Sequence, residues 1–89
     1  MPQPPFVRVV SPRFAFHTGH VTIGGSICME ELTASGWNPT YSVERVLDMV
    51  LSAMLDGDAL LHATAADRPY TLSEARAAFS RVALQHGWI

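Results

Sequence analysis

Lysine is absent from this sequence of 89 residues: the six basic side chains are all arginines, and with eight acidic ones the formal net charge is −2. So little positive charge argues against nucleic-acid binding as the main activity, because phosphates have to be neutralised. Charged residues amount to only 16%, below the roughly 25% usual in soluble domains, whereas apolar residues make up 48%. This composition excludes intrinsic disorder. It also predicts that some hydrophobic surface is covered by another chain or by a further part of the domain.

Cysteine occurs once, at Cys28, and therefore no internal disulfide can form. A lone thiol is typical of a reducing compartment, so the expected location is the cytoplasm, with the nucleus as an alternative. The first five residues lack the pattern of a signal peptide, and no apolar run reaches the ~20 residues that span a membrane. A glycine-rich phosphate loop is also missing. We therefore expect no membrane partner and no cofactor, and energy from ATP would have to come through another protein.

No linker, charge block or repeat divides the chain, and residues 1–89 are predicted to form one domain. Between two proline-containing pairs, the β-branched and aromatic run Phe6–Val10 predicts one short strand. From Arg13 to Pro39 several glycines interrupt any sustained period, which indicates a loop with short extended pieces, where functional sites usually lie. Helical patterns follow, so the predicted class is α+β.

Both helices are predicted from apolar spacing and from the residues at their ends. The first starts after Ser42, a favoured N-cap, and stops at Gly57; its apolar residues, expected to form one buried stripe, are Val43, Val46, Leu47, Val50, Leu51, Met54 and Leu55. The second spans Leu72–His86, with a capping box of Thr71 and Glu74 and a stop at Gly87. Its predicted buried side carries Ala75, Phe79, Val82 and His86.

Cys28 lies in the run Gly24-Gly-Ser-Ile-Cys-Met-Glu-Glu-Leu, directly after a glycine pair that allows close approach of another chain or of a substrate. Taken alone, a cysteine between Ile27 and Met29 is most often a small buried hydrophobic residue. The two adjacent glutamates, Glu30 and Glu31, should raise the pKa of the thiol. That argues against a papain-like protease, whose thiolate needs a cationic partner, but leaves acyl exchange with an incoming thioester open.

Two other chemistries remain open at the same segment. His17, His20 and Cys28 form an incomplete metal set, because a tetrahedral zinc site needs a fourth ligand and the remaining histidines, His62 and His86, are remote in sequence. A hydrolytic pair of Cys28 with a histidine has equally unspecific spacing. No metal is predicted.

Two longer motifs occur in order: Gly24-Gly-Ser-Ile-Cys-Met-Glu-Glu-Leu-Thr and Gly36-Trp-Asn-Pro-Thr-Tyr-Ser-Val-Glu-Arg-Val-Leu. They resemble the active-site segment of ubiquitin-conjugating enzymes, in which an acceptor cysteine after Gly-Ser-Ile is followed by a Trp-Ser-Pro turn and a capped amphipathic helix. The upstream Pro4-Pro-Phe-Val-Arg-Val and Ser11-Pro, and the final Gly87-Trp, are similar to the Q-type branch of that family. The resemblance extends from about Pro4 to Trp88.

This resemblance implies that Cys28 takes ubiquitin or a ubiquitin-like protein as a thioester from an activating enzyme and, with a ubiquitin ligase, passes it to an amine. Most members place the asparagine of a His-Pro-Asn tripeptide eight residues before the cysteine. Here the tripeptide is Thr18-Gly-His, so His20 is the candidate donor to the oxyanion. Asp56 and Asp58 are weaker candidates for the acidic residues that orient the incoming lysine. A chain without lysine could not capture its own ester, although compositional bias is the simpler explanation of that absence.

The family's domain begins with an amphipathic helix and the first strands of an antiparallel sheet, which have no counterpart in this sequence. The expected structure is therefore a partial ubiquitin-conjugating fold with short antiparallel strands, an active-site loop and then two helices. On this interpretation the chain is a fragment of a longer product, a protein completed by a partner, or a catalytically inactive variant that serves as a binding module. A small cysteine hydrolase is a further alternative.

Overall fold

The computed structural model describes residues 2–16 and 18–88. Its helices are α1, Val43–Asp56, and α2, Leu72–His86, which follow a short 3₁₀ turn at Glu30–Leu32. Each α-helix has the predicted N-cap: the side chains of Ser42 and Thr71 accept backbone hydrogen bonds from the first turns. The two predicted helices are confirmed. No helix in the two described ranges is long and apolar enough to cross a membrane.

The extended segments pair only at isolated points. Within the described part of the chain they form three antiparallel bridges, which join Arg8 to Ser26, Phe14 to Leu61 and Val21 to Ile27. Val9 N donates to the Gly25 carbonyl (2.8 Å) and Ile27 N donates to the Val7 carbonyl (3.0 Å). The strand predicted over Phe6–Val10 is therefore reduced to a bridge. The prolines that bracket this run supply no N–H donor, so pairing cannot extend at either end.

The core lies between the loop segment and one side of α1. Its buried members are Val21, Ile27, Leu32, Val46, Val50 and Tyr70. On α1 only Val46 and Val50 are buried, whereas four residues at a spacing of four, Val43, Leu47, Leu51 and Leu55, are 54–78% exposed. We call these four residues the outward stripe. The single buried stripe predicted for this helix is wrong: the described part of the chain covers only one side of it.

Helix α2 is held at its start by Arg13, which is only 9% exposed. Its guanidinium donates to both carboxylate oxygens of Glu74 (3.0 and 3.1 Å) and to the carbonyls of Arg68 and Pro69 (3.1 and 2.9 Å). It also lies 4.3 Å from the centroid of the Tyr70 ring. We call this set the Arg13 clasp. It satisfies a nearly buried charge and fixes the loop to the first turn of α2.

Gly24 brings the loop before Cys28 against the same helix. A Cβ at this position would overlap the carbonyl oxygen of Glu74 and lie 2.8 Å from the Cβ of Ala78. The close approach expected at the glycine pair is therefore made to α2 of the same chain. Together with the Arg13 clasp, this contact determines where the segment bearing Cys28 lies.

Candidate active site

Cys28 and His20 face each other across the narrow loop that closes at the bridge between Val21 and Ile27. Cys28 N donates to the His20 carbonyl (2.8 Å), and the His20 ring nitrogen Nδ1 lies 3.1 Å from the Cys28 carbonyl oxygen. Below them, the hydroxyls of Thr22 and Ser26 are joined at 2.7 Å. The reciprocal bonds fix the backbone of both residues, so the thiol is carried by a short, well-braced turn.

The ring contact determines the protonation of His20 at Nδ1. A carbonyl oxygen can only accept, so Nδ1 carries the hydrogen and donates to Cys28. In neutral His20 the other ring nitrogen, Nε2, then has a lone pair and accepts. It can donate to a developing oxyanion only when the ring is protonated.

The Cys28 thiol is free and half-buried. Burial raises its pKa above the ordinary value for cysteine. The direction agrees with the one expected from the sequence, but the cause is desolvation rather than the charge of Glu30 and Glu31. At neutral pH the resting group is thus a thiol, which excludes the preformed thiolate of a cysteine protease and suits exchange with an ester that is already activated.

An open cavity of about 760 Å³ adjoins the thiol. Four carboxylates, Glu30, Glu31, Asp48 and Asp56, line it together with Cys28, and the cationic or ionisable residues on its wall are His20, Arg45 and His86. Three parts of the chain meet there, namely the Cys28 turn, one side of α1 and the end of α2. The negative groups outnumber the positive ones, so the cavity favours a positively charged visitor.

The sequence-predicted site residues are only partly brought together. His20 and Asp56 line the cavity with Cys28, whereas Asp58 does not; it follows α1 with φ of 53°. His17 lies outside the described residues, so the metal set considered above cannot be assessed as a whole. Among the residues that the structure describes, no group of three or more histidine, cysteine or acidic side chains could hold a metal ion.

His86 is the residue that sequence reasoning places wrongly. The helical pattern predicts it on the buried side of α2, but it is exposed, lines the cavity and stacks on Trp88 with ring centroids 4.6 Å apart and planes at 16°. A second depression of about 280 Å³ again joins it to His20 and Cys28. Its place in the last turn of α2, just before the Gly87 cap and an aromatic residue, is the signal available in the sequence.

Comparison with known proteins adds relatives but no family model, since none matches the chain. It is 39% identical over 88 residues to human ubiquitin-conjugating enzyme E2 Q1, an alignment that covers 96% of this chain and 20% of that protein. It is 36% identical over 91 residues to the human Q-like ubiquitin-conjugating enzyme protein 1, covering 97% and 55%. Ubiquitin-conjugating enzyme E2 25 of Caenorhabditis elegans is 36% identical over 89 residues, covering 96% and 22%. The chain thus spans between a fifth and about half the length of these curated relatives.

Proposed function

Because this chain has the sequence of a partial ubiquitin-conjugating domain of the Q type, we propose that Cys28 accepts ubiquitin or a ubiquitin-like protein as a thioester and transfers it to an amine. The observation that carries the proposal is the place of the thiol: it is half-buried on a braced turn and opens into the acidic cavity. An activating enzyme is the proposed donor, a ubiquitin ligase a further partner, and the cytoplasm the proposed location.

Charging is an exchange of thioesters. Cys28 Sγ attacks the carbonyl carbon of the modifier's C-terminal thioester, a new C–S bond forms, and the activating enzyme's thiol leaves with the proton that Cys28 gives up. Because burial raises the pKa of Cys28, a base has to take that proton during attack. The free lone pair of neutral His20 is one acceptor, since its Nδ1–H is committed to the Cys28 carbonyl.

Transfer is the attack of a neutral amine on the Cys28 ester. The C–N bond forms, the C–S bond breaks, the Cys28 thiolate leaves and the amine loses a proton. The four carboxylates attract a protonated amine into the cavity, and His86 or Asp56 can receive the proton that must come off before attack. Once His20 has been protonated, Nε2–H can donate to the tetrahedral oxyanion.

The test is charging with ubiquitin, an activating enzyme and ATP, read on gels as an adduct that reductant removes. Cys28→Ser should turn the thioester into a more stable oxyester. The assay should be run on this chain and on a chimera in which it follows the preceding region of a Q-type relative. Absence of an adduct from both proteins would refute the proposal.

Two variants separate the histidine roles. His20→Ala should slow discharge to an amine more than charging, by up to about 10²-fold, the usual result when one oxyanion donor is lost. His86→Gln should slow discharge with a change in its pH profile if the ring accepts the amine proton. Equal effects of either substitution on charging and on discharge would contradict these roles.

A second candidate function, a binding module without catalysis, is favoured by the outward stripe of α1, which leaves four large aliphatic side chains uncovered. On this alternative the chain binds ubiquitin or a partner enzyme through that stripe and forms no thioester. Binding that survives Cys28→Ala but is lost when Leu47 and Leu51 are made polar, with no adduct in the charging assay, would favour it.

A further inference from the structure

On the premise of the proposed function, we propose that Arg45 provides the positive charge of the Cys28 cavity in a form that cannot be acylated, and so prevents a thioester on Cys28 from being transferred within its own chain. Arg45 lies in the first turn of α1 and is exposed. Among the described residues that line the cavity, it is the single arginine.

A cation is expected at this position because of the charges around it. Glu30, Glu31, Asp48 and Asp56 line the same cavity, and a nearby positive group lowers their mutual repulsion. Either basic residue would serve that purpose. Arginine is found, with its guanidinium carbon 5.9 Å from the centroid of the Tyr41 ring.

The two basic residues differ in what they do beside an ester. A neutral lysine Nζ attacks the thioester carbonyl, the C–N bond forms as the C–S bond breaks, Cys28 leaves as the thiolate, and the ammonium proton passes to solvent or to a cavity carboxylate. The product is a stable amide within the chain. A guanidinium stays protonated at any physiological pH, with its lone pairs delocalised, so it offers no such nucleophile.

This proposal and compositional bias predict different results. All six basic side chains of the sequence are arginines, and bias would make a lysine harmless at any of these positions. Protection of the ester makes a lysine harmful only where the side chain shares a cavity with Cys28. Arg81 is the matched control: it is also exposed and helical, but it lies on α2 beside a different depression, lined by Phe16 and Ile23.

The experiment compares wild type, Arg45→Lys and Arg81→Lys. Each is charged with ubiquitin, activation is then quenched, and the reductant-resistant fraction is followed per charged molecule at pH 8, with peptide mapping of the acylated residue. We expect Arg45→Lys to form amide at residue 45 at least about tenfold faster than Arg81→Lys forms any at residue 81. Its rate should not change on dilution, because the reaction is intramolecular.

A parallel arm uses a small glycylglycine thioester, which can acylate Cys28 without an activating enzyme. If no variant charges with ubiquitin, the proposed function fails, while this arm still decides the role of Arg45. An acylated Arg45→Lys protein that loses its ester at the Arg81→Lys rate, without amide at residue 45, would overturn the inference. So would failure of the small thioester to acylate Cys28 in all three proteins.

Discussion

The two helices have equally clear end signals, but the chain holds them to different degrees. Helix α2 is fixed by the Arg13 clasp and by the close approach of Gly24, and it buries three alanines against the rest of the molecule. Helix α1 buries only Val46 and Val50 and leaves the outward stripe uncovered. The difference shows that a cap fixes where a helix begins, whereas distant parts of the chain decide how much of it is buried.

The largest effect is expected where the loop meets α2, at Gly24→Ala. The added Cβ would overlap the backbone carbonyl of Glu74, which cannot move without shifting the helix. We expect a loss of about 3 kcal/mol in the free energy of unfolding, at the upper end of the usual overpacking penalty. Chemical denaturation followed by circular dichroism measures this loss.

Gly87→Ala provides the control, because a Cβ there would meet nothing within 4 Å. Its φ of 72° is unfavourable for alanine, so this substitution should cost about 1 kcal/mol. The difference between the two variants isolates the contact of the loop with α2. Equal losses would mean that the loop does not pack on the helix as described.

A smaller effect is expected from acid, through Glu74 in the Arg13 clasp. The hydrogen bonds and charge of Arg13 lower the pKa of Glu74 to about 2. A carboxyl with a lowered pKa stabilises the fold fully above its unfolded pKa of about 4.3 and loses that contribution as pH falls toward 2. We expect a loss of about 1–2 kcal/mol over this range, less than the full pKa difference implies because the side chain is 34% exposed.

Glu74→Gln should be less stable than wild type at pH 7 and should flatten the pH dependence below pH 4, since glutamine keeps the capping box but not the charge. Unfolding by denaturant at a series of pH values measures both changes. An unchanged slope in the variant would assign the acid sensitivity to other carboxylates.

These predictions also mark what the sequence alone could provide. The helix ends are local: Ser42, Thr71 with Glu74, and Gly87 each act within a few residues, and the predicted helices are confirmed. The pairing of His20 with Cys28 is also short-range, eight residues apart, although no spacing rule predicts it. The catalytic roles of these two residues stay predictions.

Long-range features were not available from the sequence. Arg13 binds Glu74 across 61 residues, and no periodicity or cap signals such a contact. His86 joins the cavity because α2 ends near the Cys28 turn, which depends on packing rather than on the helical pattern that places it on the buried side. The predicted strand failed for a similar reason: pairing needs partners, and the described chain offers Phe6–Val10 only an isolated bridge.

The smallest effect is expected on the outward stripe, from the double substitution Leu47→Gln and Leu51→Gln. Glutamine matches leucine in helix propensity, and both leucines are more than half exposed, so the free energy of unfolding should change by less than about 0.5 kcal/mol in this chain. In the chimera with the preceding region of a Q-type relative, the same change should cost about 1.5–3 kcal/mol per leucine if that region covers the stripe. Val50→Ala, on the buried side of α1, is the control and should destabilise both proteins. A large loss from the double substitution in the chain alone would mean that the stripe is already buried, and equal small losses in both proteins would leave α1 uncovered in the longer protein as well.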